Sequence, residues 1–114
     1  MDPVSSTLRV AELRTDLSLL ASPGQVQEEW LDANGYPIDE LYLQLVDMRD
    51  VVVPSLIDAG AVSADFVIAC DDLLEHLGNM GGMRSPLWTD RSSLVRAPEW
   101  SEARRLAAHA ENLL

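Results

Sequence analysis

Residues 38–54 read IDELYLQLVDMRDVVVP, and this stretch predicts the central helix of the fold. Its apolar side chains recur at steps of three and four residues, which is the spacing of one helix face. The stripe consists of Ile38, Leu41, Leu45, Met48 and Val52. Further apolar residues leave only a narrow polar strip, so we expect this helix to lie at the centre of a bundle. Pro54 cannot donate a backbone hydrogen bond, and the helix therefore either kinks there or gives way to a short new helix.

Two helices are predicted before this segment. The first follows Ser5 and Ser6, and its apolar residues again recur every three or four positions. They are Val10, Leu13, Leu17 and Leu20. The second begins at residues 22–25, SPGQ, where a serine N-cap precedes a proline at the first helical position. Asn34 and Gly35 supply a left-handed end. Its apolar face is expected to consist of Val26, Trp30 and Ala33.

The chain after the central segment also has the repeat of helices. Ser63 is expected to cap a helix that ends at Gly78. Its apolar stripe consists of Phe66, Cys70, Leu73 and Leu77. Residues 78–88 are rich in glycine and predict a loop. Thr89 is then expected to cap a short helix that reaches Val95.

The last predicted helix begins at Pro98, since proline is well tolerated at the first helical position. Its stripe consists of Trp100, Ala103, Ala107, Ala110 and Leu114. A chain of 114 residues that is 47% hydrophobic is long enough to bury one core. We therefore predict an all-α fold, a compact bundle of five or six short helices that forms a single domain over residues 1–114.

The negative charge of the chain is concentrated in its middle. The sequence contains 19 acidic and 8 basic residues, which give a formal net charge of -11. Residues 25–75 hold twelve of the acids against one arginine, Arg49, so their net charge is also -11. Such a density either forms a solvated face that confers solubility or steers a partner of opposite charge.

The residues that could support catalysis are not arranged for it. Every basic residue is an arginine, which excludes the phosphate-binding P-loop and Schiff-base chemistry. Cys70 and His76 face different sides of their helix, and Glu75 and His76 are adjacent rather than at the acid-x-x-His spacing of di-iron bundles. We therefore predict no enzyme, no catalytic residue, no metal and no cofactor. The alternative in this class is a small metal-dependent enzyme that uses Asp72, Glu75 and His76.

Two kinds of partner are not expected. The overall charge opposes contact with the phosphates of nucleic acids, although residues 76–114 carry a net charge of +1. The apolar runs are also far shorter than the roughly 20 residues that span a membrane. Residues 1–6 do not resemble a targeting signal, and the chain has one cysteine, so we expect a cytoplasmic location.

Four segments within the last three quarters of the chain carry a resemblance to known proteins. They are W…GYP…DEL (residues 30–41), ACDDLL (69–74), LWT (87–89) and EWSEARRLA (99–107). In these segments the chain resembles small actinobacterial immunity proteins of polymorphic or contact-dependent toxin systems. The resemblance implies an acidic cytoplasmic protein that neutralises one cognate toxin by stoichiometric binding.

The partner-binding face follows from this resemblance and from the charge. A nuclease toxin needs a basic cleft for phosphates, and carboxylates on a helical face suit such a cleft. The acids expected on this face are Asp39, Glu40, Asp47, Asp50, Asp65, Asp71, Asp72 and Glu75. Tyr36, Tyr42 and Trp88 are candidate anchors if they are exposed. The alternative is a helical adaptor that docks on another protein through an apolar loop containing Met80, Met83 and Trp88.

Overall fold

The computed structural model describes residues 2–114, in which helices alternate with short connections and no strand occurs. The helices are α1 (Pro3–Ala21), α2 (Gly24–Asn34), α3 (Glu40–Asp47), α4 (Val53–Asp58), α5 (Ala64–Gly78), α6 (Pro86–Thr89), α7 (Ser93–Arg96) and α8 (Pro98–Asn112). A π-helical turn, Met48–Val52, joins α3 to α4. One cluster of buried side chains draws on all eight helices, which confirms the predicted all-α bundle.

The helix that packs along two long neighbours is α8, which contacts both α1 and α5. Its fully buried side is formed by Trp100, Ala103, Ala107 and Ala110, as predicted. The three alanines are small, so the neighbouring helices can approach closely. Residues 38–54 contribute Ile38, Leu41, Leu45 and Val52 to the core, so four of the five residues of the predicted stripe are buried. Leu43 and Val51 are exposed, so this segment borders solvent on one side and is not enclosed by its neighbours.

The change expected at Pro54 takes the form of a π turn, after which α4 begins at Val53 with Pro54 in its first turn. The N–H of Val53 donates to the carbonyl of Met48, which is the five-residue step of a π-helix. In a regular α-helix the ring of Pro54 would collide with the carbonyl of Asp50. The wider π turn relieves this collision, and the chain stays helical from Glu40 to Asp58.

The start of α2 differs from the prediction. Ser22 does not cap α2, because its Oγ donates to the carbonyl of Ser18, 2.7 Å away. The fully buried Gln27 instead donates through Nε2 to the carbonyls of Leu19 (3.2 Å) and Leu20 (3.1 Å) at the end of α1. It thereby satisfies the carbonyl of Leu20, which the helix end leaves unpaired, and adds a second donor to that of Leu19, which also accepts from the N–H of Ser22.

The buried face of α2 also differs from the predicted one. It consists of Gly24, Gln27 and Leu31, whereas Val26 and Ala33 are exposed and Trp30 is half-buried. Gly24 lies against α7, where an added Cβ would come 2.5 Å from the carbonyl oxygen of Leu94. Only glycine allows this approach. The left-handed end at Gly35 is confirmed by its φ of 68°.

Helix ends elsewhere agree with the sequence in part. Ser63 caps α5 by accepting a hydrogen bond from the N–H of Phe66 at 3.0 Å, as predicted. The first helix begins earlier than expected, because Asp2 caps it and accepts from the N–H of Ser5. Thr89 ends α6 instead of capping a helix that reaches Val95. Pro98 begins α8, as predicted.

Candidate partner-binding surface

The exposed side of α5 carries acidic residues around one apolar side chain. Positions 65, 68, 72 and 75 recur every three or four residues and share one side of the helix, and position 71 flanks them. We call this surface the α5 acidic face; it consists of Asp65, Ile68, Asp71, Asp72 and Glu75. All five side chains are exposed, and Ile68 has a relative exposure of 59%. The opposite side of α5 is buried through Phe66, Ala69, Cys70, Leu73 and Leu77.

One acid on this face is paired with an arginine. Arg49 in the π turn places Nε 2.7 Å from Oδ1 of Asp71 and Nη2 3.2 Å from its Oδ2. This two-point contact raises the pKa of Arg49. Among residues 2–114, Asp65, Asp72 and Glu75 form no salt bridge. Three carboxylates of the face are thus left for an external cation.

Grooves open on both sides of Ile68. The α4–α5 groove has a volume of about 350 Å³ and is lined by Ile57, Val62, Ser63, Ala64, Val67 and Ile68. The second groove lies between α5 and α8, has a volume of about 210 Å³ and is lined by Asp65, Ile68, Ala69, Asp72, His109 and Leu113. The first groove is apolar and the second carries two carboxylates. Ile68 therefore joins an apolar surface to an acidic one.

Other predicted acids lie apart from this face. Asp47 lines a groove of about 390 Å³ with Glu12 and Asp16 of α1 and with Gln44 and Met48. Burial raises the pKa of Asp16, and the charge of Glu12 raises it further. The predicted surface does not include Glu12 and Asp16, because they lie outside residues 25–75, where the excess charge is concentrated. Their four-residue spacing on α1 is the signal that could have found them.

The remaining predicted acids lie at the start of α3 and in the π turn. Asp39 and Glu40 are half-buried at the start of α3, and one carboxylate oxygen of Asp39 is buried without a hydrogen-bond partner. Asp50 is exposed in the π turn, where its charge contributes to the raised pKa of the adjacent Arg49. Asp50 is thereby brought near the paired Asp71, whereas Asp39 and Glu40 lie at the other end of α3.

The expected aromatic anchors belong largely to the core. Trp88 is only 4% exposed, and its ring packs 5.8 Å from that of Tyr42 and 5.3 Å from that of Trp100, measured between centroids. Tyr42 is half-buried. The prediction that Trp88 serves as a surface anchor is wrong, because its apolar ring is used within the bundle. Tyr36 is exposed and packs against Trp30.

The apolar loop of the adaptor alternative is mostly buried as well. Met80 is 3% exposed and, like Trp88, belongs to the core cluster. Of Met80, Met83 and Trp88, the three proposed contact residues, only Met83 is exposed. The loop therefore closes one end of the bundle and does not present the expected apolar surface.

The residues of the alternative metal site do not converge. Nε2 of His76 lies 2.8 Å from the carbonyl oxygen of Glu99 and so links α5 to the start of α8. Within residues 2–114, no group of three or more His, Cys, Asp or Glu side chains is placed to hold a metal ion. Burial raises the pKa of the Cys70 thiol to about 11. This thiol is therefore protonated at neutral pH and is a poor nucleophile.

Comparison of the chain with family models, curated proteins and solved structures found no match. In the part of the chain that the structure describes, no helix has both the length and the apolar character needed to cross a membrane.

Proposed function

We propose that this chain is a non-catalytic binding protein, an immunity protein that neutralises a cognate basic toxin domain in the cytoplasm. Neutralisation is by one-to-one binding through the α5 acidic face. The observation that carries this proposal is the set of three carboxylates, on Asp65, Asp72 and Glu75, that form no salt bridge with the described residues. A basic cleft built to hold phosphates provides the opposite charge.

The helix that presents these carboxylates is held at several points. The Ser63 cap orders its first turn, the contact of His76 with the Glu99 carbonyl holds its last turn, and Arg49 holds its middle through Asp71. The carboxylates therefore keep a fixed spacing before the partner arrives. A preorganised surface loses less conformational freedom on binding than a flexible one.

Charge and apolar contact have separate roles in the proposed complex. Complementary charge accelerates encounter and selects the partner, while a few buried contacts set the residence time. The acids of α5 supply the first role, and Ile68 in their midst supplies apolar area for the second. The binding face is thus narrower than the sequence indicated, since Asp47, Asp39 and Glu40 lie outside it.

The experiment compares two variants with the same change in net charge. Asp72→Lys/Glu75→Lys reverses charge on the α5 acidic face, and Glu29→Lys/Asp47→Lys does so elsewhere, at positions that are also exposed. Asp65 is left unchanged because an acid in the first turn stabilises the helix. Each protein is immobilised and used to capture a partner at low salt from a lysate of the source organism.

We expect the wild type and the Glu29→Lys/Asp47→Lys control to retain one basic protein that the α5 variant loses. Native mass spectrometry of the recovered complex should give one copy of each chain, and an equimolar amount of this protein should abolish the toxic activity of the partner. Equal retention by both variants would overturn the assignment of the face. Failure to inhibit the captured partner would overturn the immunity function.

A further inference from the structure

The α4–α5 groove combines an apolar floor with acids at its edges. The residues that line it are uncharged, and Ile57 and Ile68 remain 45% and 59% exposed on its two sides. Asp58 directly follows Ile57, and Asp65 directly follows Ala64; both carboxylates are exposed. An occupant that fits this surface has an apolar side chain between cationic ones.

The walls of the groove are set by the turn between the two helices. The N–H of Gly60 donates to the carbonyl of Ile57 at 3.0 Å, and the N–H of Ala61 donates to that of Leu56 at 2.9 Å. Gly60 takes the left-handed conformation that this helix end requires, with a φ of 68°. Leu56 is buried and Ile57 is exposed, so the turn fixes Ile57 opposite Ile68 without help from a partner.

The helical walls of the α4–α5 groove determine which kind of peptide can bind in it. Both are helices, so an extended peptide has no strand edge with which to pair, and recognition must use side chains. An amphipathic helix presents apolar residues at steps of three or four and can place basic residues beside them. This is the arrangement that complements an apolar groove between Asp58 and Asp65.

We infer that the α4–α5 groove receives an amphipathic helix of the partner, whose apolar residues enter the groove between flanking arginines or lysines. The inference rests on the proposed function, because it names the part of the basic partner that the acidic surface binds. The apolar residues occupy the space between Ile57 and Ile68, and the flanking cations face Asp58, Asp65 and Asp72.

The test uses synthetic helical peptides and the full chain. The first peptide carries leucines on one face and lysines beside them, the second replaces the leucines by glutamine, and the third replaces the lysines by glutamate. Binding is measured by fluorescence anisotropy. We expect the second peptide to bind at least about tenfold more weakly than the first, since one buried apolar anchor accounts for that much affinity. The third should show no binding.

A pair of variants locates the peptide. Ile68→Gln should weaken binding of the first peptide about tenfold, and Leu43→Gln, a similar change at a comparably exposed leucine on α3, should leave it unchanged. Both side chains are exposed, so both variants should keep the thermal midpoint of the wild type, as checked by circular dichroism. Equal weakening by the two variants would overturn the location.

The remaining outcomes separate this inference from the proposed function. Equal affinity of the first two peptides would overturn the apolar groove and leave an electrostatic complex with the toxin intact. Binding of the third peptide would overturn the role of the acidic edges, and no binding of the first would overturn the inference as a whole. Failure of the captured partner to be inhibited would instead overturn the immunity function, even if the first peptide binds the groove.

Discussion

Arg49 Nε lies 2.7 Å from Asp71 Oδ1, so one ion pair joins the π turn to the middle of α5. The same pair neutralises one carboxylate of the surface that we propose to bind a cation-rich partner. Arg49 is the lone arginine of residues 25–75, in which the excess negative charge is concentrated. The pair therefore has two effects: it holds α5 in its place in the bundle, and it weakens the negative electrostatic potential of the α5 acidic face.

The first prediction separates the effect of this pair on stability from its effect on the charge of the binding surface, by removing either partner. Arg49→Gln and Asp71→Asn should each lower the free energy of unfolding by about 0.5–1 kcal/mol, because solvent screens a pair whose carboxylate is half exposed. Their effects on association should be opposite. Arg49→Gln leaves Asp71 unpaired and should speed binding of the leucine–lysine peptide, whereas Asp71→Asn should slow it.

Urea denaturation measures the stability of both variants, and stopped-flow fluorescence at low salt measures the two association rates. A shift of both rates in the same direction would show that Asp71 does not contribute to the field at the binding surface.

The second prediction concerns the buried amide of Gln27. Gln27→Met keeps the length of the side chain but removes both hydrogen bonds to the end of α1. The carbonyl of Leu20 is then left unsatisfied, whereas that of Leu19 still accepts from the N–H of Ser22. We expect a loss of about 1–3 kcal/mol in the free energy of unfolding. The matched change Gln25→Met, at an exposed position of the same helix, should alter stability by less than about 0.5 kcal/mol. Similar losses in the two variants would contradict the role assigned to Gln27.

The third prediction tests the close approach of α2 to α7. Gly24→Ala introduces a Cβ at 2.5 Å from the carbonyl oxygen of Leu94, where the backbone has to move. The free energy of unfolding should fall by roughly 1–3 kcal/mol, as in other overpacked sites. Gly82→Ala is the control, since an added Cβ there meets nothing within 4 Å. Thermal unfolding of the two variants checks the difference.

The fourth prediction concerns the acids that meet between α1 and α3. The pKa of Asp16 is raised in the folded state, so the folded protein holds this proton more tightly than the unfolded one. The ionised carboxylate therefore opposes folding above both pKa values, and this effect fades as the pH falls towards the unfolded value near 3.8. Asp16→Asn should raise the free energy of unfolding at pH 7 by roughly 0.3 kcal/mol, since the group is half exposed.

The gain should shrink as the pH is lowered to 4, as measured by urea denaturation at a series of pH values. A gain that is constant with pH would show that Asp16 does not titrate with a raised pKa.

Amphipathic spacing predicted the parts of the fold in which burial alone decides the residue type. The buried sides of α5 and α8 agree with the sequence because each has an uninterrupted apolar stripe at helical steps. The face of α2 could not be found in this way. Two of its three buried positions hold Gly24 and Gln27, which serve the close approach to Leu94 and the pairing of the Leu20 carbonyl rather than hydrophobic burial.

The candidate site was likewise predictable only where it depends on spacing within a single helix. Helical spacing alone places Asp65, Asp72 and Glu75 on one side of α5. The separation of Asp47 from them, and its grouping with Glu12 and Asp16, depend on how α1 packs beside α3. The α4–α5 groove likewise exists only because the turn at Gly60 brings Ile57 opposite Ile68. How two helices pack against each other leaves no trace in the periodicity of either one.

The last prediction tests whether residues 78–89, the glycine-rich loop together with α6, have a structural role. Trp88 packs between Tyr42 and Trp100, and Trp100 Nε1 donates to the carbonyl of Leu87 at 2.9 Å, which holds α6 against α8. Trp88→Ala should therefore lower the free energy of unfolding by about 3–5 kcal/mol. Met83→Ala, at the exposed methionine, should change it by less than about 0.5 kcal/mol.

Guanidinium denaturation measures the stability of both variants, and anisotropy with the leucine–lysine peptide measures binding by Met83→Ala. If the loop only closes the bundle and the partner contacts α5, Met83→Ala should bind the peptide as tightly as the wild type does. A marked loss of binding together with full stability would instead assign the contact to the loop, because Met83 is the one residue of the adaptor alternative that reaches solvent.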